Sequence, residues 1–257
     1  MIPKPNGGYW DKGWNPIKMQ LDDGYNYLKG GYHCTHCSPG CAHCWAEALN
    51  KRFGNGIPYD NREVRLEIDE NTLAQPAKWR KPQIVFVCHL MDLFHEQVPD
   101  EVIFQVFKAM ANAPQHRFLV LTKRPERMLN ITPEIHWRLG GLDHIYLGVT
   151  ICNQQEADYK IPLLLLNNHF KQNWLSIEPM LGAVEIPQEQ LKQLDWVVVG
   201  GESGKGARPM HPDWVRKVCN DCQEAGTPFY FKQYHKKSEG RLLDGKEWNQ
   251  LPEGLML

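Results

Sequence analysis

The chain has 257 residues, a length that fits one large domain or two small ones. Its 29 basic and 30 acidic side chains leave a formal net charge of −1. The overall charge therefore excludes no class of partner, and binding to nucleic acid would require a local basic patch. The sequence shows neither an amino-terminal signal segment nor an apolar run of membrane-spanning length, so we expect a cytoplasmic protein without a membrane partner.

A strand is predicted around residues 14–19, and a loop rich in cysteine then leads into a helix at 42–53. After residue 80, short apolar runs alternate with amphipathic helices. The strands are predicted at 84–87, 118–121, 145–149, 174–177, 196–199 and 229–231, and the helices at 100–113, 154–167 and 212–225. Strands that are apolar throughout are typical of parallel sheets covered on both faces. The series predicts a parallel α/β fold, a partial or complete TIM-like barrel.

The whole chain, 1–257, is interpreted as one α/β-barrel domain. Residues near 54–80 contain many charges and two prolines, and they are expected to form an irregular insertion. Residues near 235–257 are polar and are expected to form a carboxyl-terminal extension that wraps around the barrel.

Four cysteines lie within eleven residues: Cys34, Cys37, Cys41 and Cys44. A single zinc ion usually takes its cysteine pairs from two separate arms of the chain, whereas here the pairs would crowd each other. An iron–sulfur cluster offers several iron corners, so closely spaced thiolates can each bind a different iron. Three ligands on a four-iron cluster would leave one iron open to a small molecule. Reducing conditions in the cytosol favour this use of cysteine over disulfides.

Two alternatives remain for these cysteines. All four could bind one zinc ion in a module that interacts with nucleic acid or protein, or all four could hold an electron-transfer cluster. Cys34 is then either a fourth ligand or a thiol that supports the loop. Cys219 and Cys222 form a second Cys-x2-Cys, which is interpreted as two thiols buried in a helix.

Polar and charged side chains follow the predicted strands, one or two residues beyond each. In parallel α/β folds the carboxyl ends of the strands form the functional face, so these side chains are expected to converge on one cavity. They are His89, Asp92, Lys123, Arg124, Thr150, Glu178, Glu202 and Lys232.

The spacing Cys37-x3-Cys41-x2-Cys44 resembles the motif of the radical S-adenosylmethionine (SAM) superfamily, although His43 stands where that motif commonly has an aromatic residue. Further segments extend the resemblance over nearly the whole chain, to an uncharacterised phage-associated family that is similar to radical SAM enzymes. They are Gly13-Trp-Asn-Pro16, Met91-Asp-Leu-Phe-His-Glu96, Leu121-Thr-Lys-Arg-Pro-Glu-Arg127, Ser176-Ile-Glu-Pro179, Val199-Gly-Gly-Glu-Ser-Gly204, Phe231-Lys-Gln233 and Leu243-Asp-Gly-Lys-Glu-Trp248.

The resemblance implies that Cys37, Cys41 and Cys44 hold a [4Fe-4S] cluster, and that SAM binds the fourth iron. The cluster would cleave SAM reductively to a 5′-deoxyadenosyl radical, which abstracts hydrogen from a substrate. The resemblance also implies a barrel of the radical SAM type and an electron donor of the reductase or flavodoxin type. The host would be a bacterial or phage-infected cell, and the substrate could be a nucleotide or nucleic acid in phage DNA modification.

By the same resemblance, Asp92 is expected to pair with the SAM ammonium group, and Lys123 or Arg124 with its carboxylate. Thr150 and Glu178 are placed at the ribose and the carboxylate. Glu202 and Lys232 are assigned to catalysis on the substrate.

A nucleic-acid substrate would need basic and aromatic surface near the mouth of the barrel. The candidates for stacking are Trp10, Trp14 and Trp45. The candidates for a basic rim are Lys123, Arg124, Arg127, Arg208, Arg216, Lys232, Lys236 and Lys237.

Overall fold

The computed structural model describes residues 8–22, 27–29, 31–203, 206–234 and 240–257. The predicted basic residues Lys236 and Lys237, and Gly204 of the Gly-Gly-Glu segment, lie outside these ranges. In chain order the elements are β1 (Lys12–Trp14), β2 (Ile17–Asp22), β3 (Tyr27–Lys29), α1 (Trp45–Phe53), β4 (Arg65–Ile68), α2 (Glu70–Leu73), α3 (Gln75–Lys78), β5 (Ile84–Val87), α4 (Asp100–Ala111), β6 (Arg117–Thr122), α5 (Pro125–Leu139), β7 (Ile145–Ile151), α6 (Gln154–Leu165), β8 (Gln172–Ile177), α7 (Gln188–Leu191), β9 (Trp196–Gly200), α8 (Pro212–Ala225), β10 (Phe229–Gln233), β11 (Leu242–Leu243) and β12 (Lys246–Glu247).

Seven strands form one parallel sheet in the order β1-β5-β6-β7-β8-β9-β10. The sheet is curled, because Tyr9, just before β1 at one edge, lies 5.6 Å from the ring of Tyr230 in β10 at the other edge. The predicted α/β class is therefore confirmed in the form of a partial barrel. No helix among the described residues is long and apolar enough to cross a membrane.

Both faces of the sheet are buried, which explains the continuous apolar character of the strands. Alternate residues such as Val85, Val120 and Val197 belong to the large cluster that includes the helices. Their neighbours on the concave face form a second, aromatic cluster around Tyr9, Trp174, Trp196 and Tyr230. The concave face is therefore filled by aromatic rings near the amino ends of the strands.

The amino-terminal strand differs from the prediction. The first strand of the parallel sheet is only three residues long and ends at Trp14. Residues from Ile17 onward form β2, which pairs antiparallel with β3 and β4 in a separate sheet. The turn at Asn15 and Pro16 separates the two, because proline cannot donate the hydrogen bond that would continue the ladder.

Further boundaries also differ from the sequence prediction. A 3-10 turn at Pro39–Cys41 precedes α1, which begins at Trp45 rather than at residue 42. The insertion contains β4, α2 and α3, so it is not irregular throughout. Helices α5 and α7 were not predicted, and in α5 the internal Pro133 and a mixed polar sequence weaken the helical pattern.

The carboxyl-terminal segment packs across the amino ends of the strands. The Trp196 indole donates to the Gln250 carbonyl at 2.9 Å, and the Arg117 guanidinium donates to the Gly254 carbonyl at 2.6 Å. Leu255 joins the aromatic cluster of the concave face. This segment closes the amino end of the partial barrel, which leaves the carboxyl end as the face open to a ligand.

Candidate functional site

The cysteine loop, residues 31–44, lies at the carboxyl end of the parallel sheet. Cys34 contacts Arg124, just after β6, with 3.9 Å between Sγ and Nη1. Ser38 contacts Cys152, just after β7, with 3.8 Å between Oγ and Sγ. His43 binds Glu202, beyond β9. Because these partners follow three different strands, the loop spans the carboxyl-end rim of the partial barrel.

The three motif cysteines are presented by tight local turns. The Cys41 amide donates to the Ser38 carbonyl at 2.9 Å, and the Cys44 amide donates to the Cys41 carbonyl at 3.2 Å. Cys44 is the N-cap of α1; burial raises the pKa of its thiol and outweighs the lowering by the first amides of the helix. Cys37 is exposed, Cys44 is half-buried and Cys41 is buried. The three motif thiols therefore differ in how far solvent reaches them.

The environment favours a thiolate at Cys41. A hydrogen bond from the Cys37 thiol lowers the pKa of Cys41, while the same contact raises the pKa of Cys37. The pKa of the half-buried Cys34 is raised to about 12, chiefly because burial disfavours its charged form. Among the cysteines of this loop, the surroundings lower the pKa only at Cys41.

The donor set fits an iron–sulfur cluster in its chemistry. Three thiols from eight residues of one loop reach the rim of a curled parallel sheet, and thiolates are the protein ligands of such clusters. Within the described ranges, no group of three or more His, Cys, Asp or Glu side chains is arranged to hold a metal ion.

Arg124 connects the cysteine loop to the sheet. Its Nε donates to Glu96 at 2.7 Å and its Nη1 donates to Asp92 at 3.1 Å. Its Nη2 donates to the Thr35 hydroxyl at 2.8 Å and to the Thr35 carbonyl at 3.3 Å. All three nitrogens of this buried guanidinium are therefore engaged, and Nη2 holds Thr35, two residues before Cys37.

Asp92 is fully hydrogen bonded within the protein. One carboxylate oxygen accepts from the Thr122 hydroxyl at 2.7 Å and from the Phe94 amide at 3.0 Å. The other accepts from the Lys123 amide at 2.9 Å and from Arg124. Burial alone would raise the pKa of Asp92, but Arg124 and these donors outweigh burial and lower it. Asp92 thus fixes the turn that presents Lys123 and Arg124.

Glu202 forms a second connection between the sheet and the loop. It accepts from His43 Nδ1 at 2.8 Å and binds the Arg208 guanidinium at 2.5 and 3.0 Å. Arg208 in turn donates to the Pro39 carbonyl at 3.1 Å. Burial raises the pKa of Glu202, but its bonds to Arg208 and His43 outweigh this and lower it to about 2. Glu202 is therefore an ionised group that holds the middle of the loop.

The Lys123 ammonium lies within electrostatic range of the motif cysteines. Burial lowers its pKa, but negative charge at Cys41, Cys44 and Asp92 outweighs burial and raises it. No hydrogen-bond or ion-pair partner of its ammonium is found within the described part of the chain. Lys123 is thus a half-buried cation beside the thiols, with donors available for a ligand.

Glu178 and Lys232 meet on the concave face, with 2.8 Å between the carboxylate and the ammonium. The Tyr9 and Ser176 hydroxyls each donate to the other oxygen of Glu178 at 3.4 Å. Gly200 leaves room for this carboxylate, because a Cβ there would lie 2.6 Å from it. The pair of Glu178 and Lys232 lies above the aromatic cluster and faces the open carboxyl end of the partial barrel.

Thr150 is buried near the end of β7, opposite Ser176 in β8. Its carbonyl accepts from the buried Lys160 ammonium at 3.1 Å, and Lys160 pairs with Glu156 at 2.8 Å. Its position in the strand places the Thr150 side chain on the concave face, alongside Gly148 and Tyr146.

The predicted site residues thus form three groups, and Thr150 lies apart. One contains Asp92, Lys123 and Arg124; one contains Glu202; and one contains Glu178 and Lys232. No hydrogen bond or ion pair joins these groups directly in the parts of the chain that the structure describes. The first two groups contact or face the cysteine loop, and the third lies within the concave face.

The three candidate stacking residues have different environments. Trp14 is buried in the core, with 1% of its surface exposed, so it offers no surface to a ligand. Trp45 is 47% exposed and stacks on the ring of His89, with 5.8 Å between centroids and 20° between planes. His89 also stacks on Phe86 and lies 5.3 Å from the ring of Trp10.

Several contacts of the site were not predicted from the sequence. The motif marks His43 only as a departure from an aromatic position, and no local signal links Thr35 or Glu96 to Arg124. Tyr9 precedes the first strand, outside the strand ends that the sequence singles out. The available signal for Arg208 is its basic side chain six positions after the acidic Glu202.

The fold and the loop together define a mixed α/β protein, in which a partial parallel barrel presents a three-cysteine motif at its carboxyl end. The chain belongs to a family described as "Protein of unknown function (DUF5131)", whose model matches residues 19–252. Comparison with curated proteins gave no match, and neither did comparison with solved structures.

Proposed function

We propose that the protein is a radical SAM enzyme in which Cys37, Cys41 and Cys44 bind one [4Fe-4S] cluster. The observation that supports this most strongly is the Cys-x3-Cys-x2-Cys loop at the carboxyl end of a partial parallel barrel, held there by two separate ion-pair groups. Such a cluster, when bound, supplies the electron for reductive cleavage of SAM to a 5′-deoxyadenosyl radical.

Lys123 is the group best suited to bind the SAM carboxylate. Its ammonium lies beside the thiols and is not committed to another residue of the described chain, whereas Arg124 is engaged by Asp92, Glu96 and Thr35. Asp92 positions Lys123 through its backbone amide. We therefore assign SAM binding to Lys123, and we assign Asp92 and Arg124 to positioning.

Glu178, Lys232 and Thr150 face the space in which SAM and a substrate would meet. The Glu178 carboxylate can accept a proton from a substrate, and the Lys232 ammonium can donate one. The aromatic rings below this pair close that space at the amino end of the strands. Glu202 contributes by holding the loop rather than by facing this group.

The proposed substrate is a nucleotide or nucleic acid, in keeping with a role in phage DNA modification. The exposed ring of Trp45 near the loop supports this class. The electron would come from a reductase or a flavodoxin-type donor.

Replacing single cysteines tests the cluster assignment. We expect Cys37→Ala, Cys41→Ala and Cys44→Ala each to abolish the brown chromophore after anaerobic reconstitution, because each removes one of three ligands. Cys34→Ala is the matched control from the same loop, and it should retain about four irons and four sulfides per chain. Analysis of iron and acid-labile sulfide measures the cluster content of each variant. Zinc in place of iron, with metal lost in Cys34→Ala, would refute the proposal in favour of a four-cysteine zinc module.

A further inference from the structure

Helix α1 carries an exposed apolar face directly after the cysteine loop. Trp45, Leu49 and Phe53 are 47%, 38% and 72% exposed. At about 100° per residue, Trp45, Leu49 and Arg52 lie within about 60° of one another around the helix, and Phe53 borders them. An apolar face at the rim of a proposed active site requires an explanation other than packing.

The Trp45 end of this face continues an ordered stack of rings. Phe86 and His89 are stacked at 5.9 Å and 29°, and His89 and Trp45 at 5.8 Å and 20°. Asn15 holds the His89 ring with 3.1 Å between Nδ2 and Nδ1, and Gly13 leaves the space that the ring occupies. The outer side of Trp45 is thus a rigid, flat surface on which one more planar ring can stack.

The charged side chain on this face, Arg52, is positive. The Arg52 guanidinium lies 4.8 Å from the centre of the Phe53 ring, and in the described chain no carboxylate pairs with it. Glu47, the acidic residue of α1, is on the opposite side and binds His36, Lys51 and the Tyr59 amide. Arg52 lies about 10 Å along the helix from Trp45, at 1.5 Å per residue. Flat rings and a cation at this spacing match the bases and phosphates of one strand.

We propose that this face, formed by Trp45, Leu49, Arg52 and Phe53, binds a single-stranded polynucleotide. One base stacks on Trp45, and a phosphate of the same strand pairs with Arg52. The proposal extends the proposed function by placing its nucleic-acid substrate at the mouth of the barrel. The ligand is a single strand, because a duplex keeps its bases stacked on each other and leaves no base face free for Trp45.

The stacking contact is tested by fluorescence anisotropy with labelled 12-nucleotide single strands of DNA and RNA and the reconstituted protein. We expect Trp45→Ala to weaken binding about 5- to 100-fold, as stacking of one base on an aromatic ring predicts. Trp137→Ala is the matched control, since Trp137 is 82% exposed on α5 and should leave binding unchanged. If Trp45→Ala loads less iron, Trp45→Leu keeps apolar bulk without the ring face and should show the same loss.

The phosphate contact is tested through salt dependence. We expect Arg52→Ala to reduce the slope of log Kd against log salt concentration by about 0.7, the value for one phosphate contact on a single strand. Arg138→Ala is the control, because Arg138 also lies over an aromatic ring, that of Phe104 at 3.6 Å, and should leave the slope unchanged.

Three outcomes would overturn the proposal: no binding of any single strand by the wild-type protein, equal effects of Trp45→Ala and Trp137→Ala, or a Trp45→Ala variant that loses SAM affinity but not oligonucleotide affinity. The last result would indicate that the ring stacked on Trp45 is the adenine of SAM. Oligonucleotide binding that depends on Trp45, in a protein that does not cleave SAM, would support this surface while refuting the radical SAM function.

Discussion

Among individual residues, Lys123 is the one whose environment points most directly to a ligand. A half-buried ammonium is costly unless anions or hydrogen-bond acceptors compensate for lost hydration. A thiolate at Cys41 and the Asp92 carboxylate supply negative charge nearby, yet no acceptor among the described residues binds its ammonium directly. A bound carboxylate would supply that acceptor.

Replacing Lys123 should separate ligand binding from folding. We expect Lys123→Met to weaken SAM binding about 10- to 100-fold, the effect of losing one charged hydrogen bond, with iron content and unfolding free energy nearly unchanged. Lys160→Met is the contrasting variant, because Lys160 is paired with Glu156 and the Thr150 carbonyl. It should lower stability without changing the SAM affinity of the folded protein. Calorimetry measures the SAM affinity of both variants and of the wild-type protein. Equal affinity in Lys123→Met and wild type would remove Lys123 from the SAM site.

At the scale of elements, the cysteine loop is held from two sides by ion pairs that follow different strands. The turn after β6 holds Thr35 through Arg124, and the segment after β9 holds Pro39 and His43 through Glu202 and Arg208. Fixing a loop at two points limits the positions that its thiols can take, which a cluster with several iron corners requires. The parallel sheet thereby sets the geometry of a loop that has little regular structure of its own.

Removing one of these connections should destabilise the protein. We expect Asp92→Ala to lower the unfolding free energy by about 3–5 kcal/mol, because it leaves the buried Arg124 guanidinium without its buried partner. Asp100→Ala is the control: the Asp100 side chain, which pairs with Arg127, is 77% exposed, and the pair should contribute about 1 kcal/mol or less. Urea unfolding of both variants measures the difference. Full stability with loss of SAM affinity in Asp92→Ala would instead indicate that Asp92 binds the SAM ammonium directly.

At the scale of the whole molecule, the sheet divides the protein into a helix-covered outer side and a concave side filled with aromatic rings. The carboxyl-terminal segment closes the amino end, and the cysteine loop lies across the carboxyl end. Ligands of parallel α/β proteins bind at the carboxyl ends of the strands, so the open end and the candidate site coincide.

The sequence was sufficient to predict the parallel strands but not all of their surroundings. The run at 84–87 and the helix at 212–225 have the predicted bounds, because continuous apolar strands and a helix ended by Gly226 are strong local signals. Helix α5 was missed, since the internal Pro133 interrupts its pattern. Local signals describe elements and carry little information about where a second small sheet branches off after Trp14.

The side chains at the strand ends were predicted as a set, but their pairing was not. Asp92 and Arg124 are 32 residues apart, and Glu178 and Lys232 are 54 apart, so only the folded sheet brings them together. An irregularity in β10 between Phe231 and Gln233 also changes the register near Lys232. Long-range pairing of this kind decides which charges hold the loop and which remain for a ligand.

The most direct test of the central claim is the formation of 5′-deoxyadenosine by the anaerobically reconstituted protein after addition of SAM and dithionite. The proposed function predicts 5′-deoxyadenosine in an amount that depends on the protein, and none with Cys41→Ala. A protein that holds its iron and sulfide but neither binds nor cleaves SAM would contradict the claim, and would indicate an electron-transfer cluster bound by four cysteines.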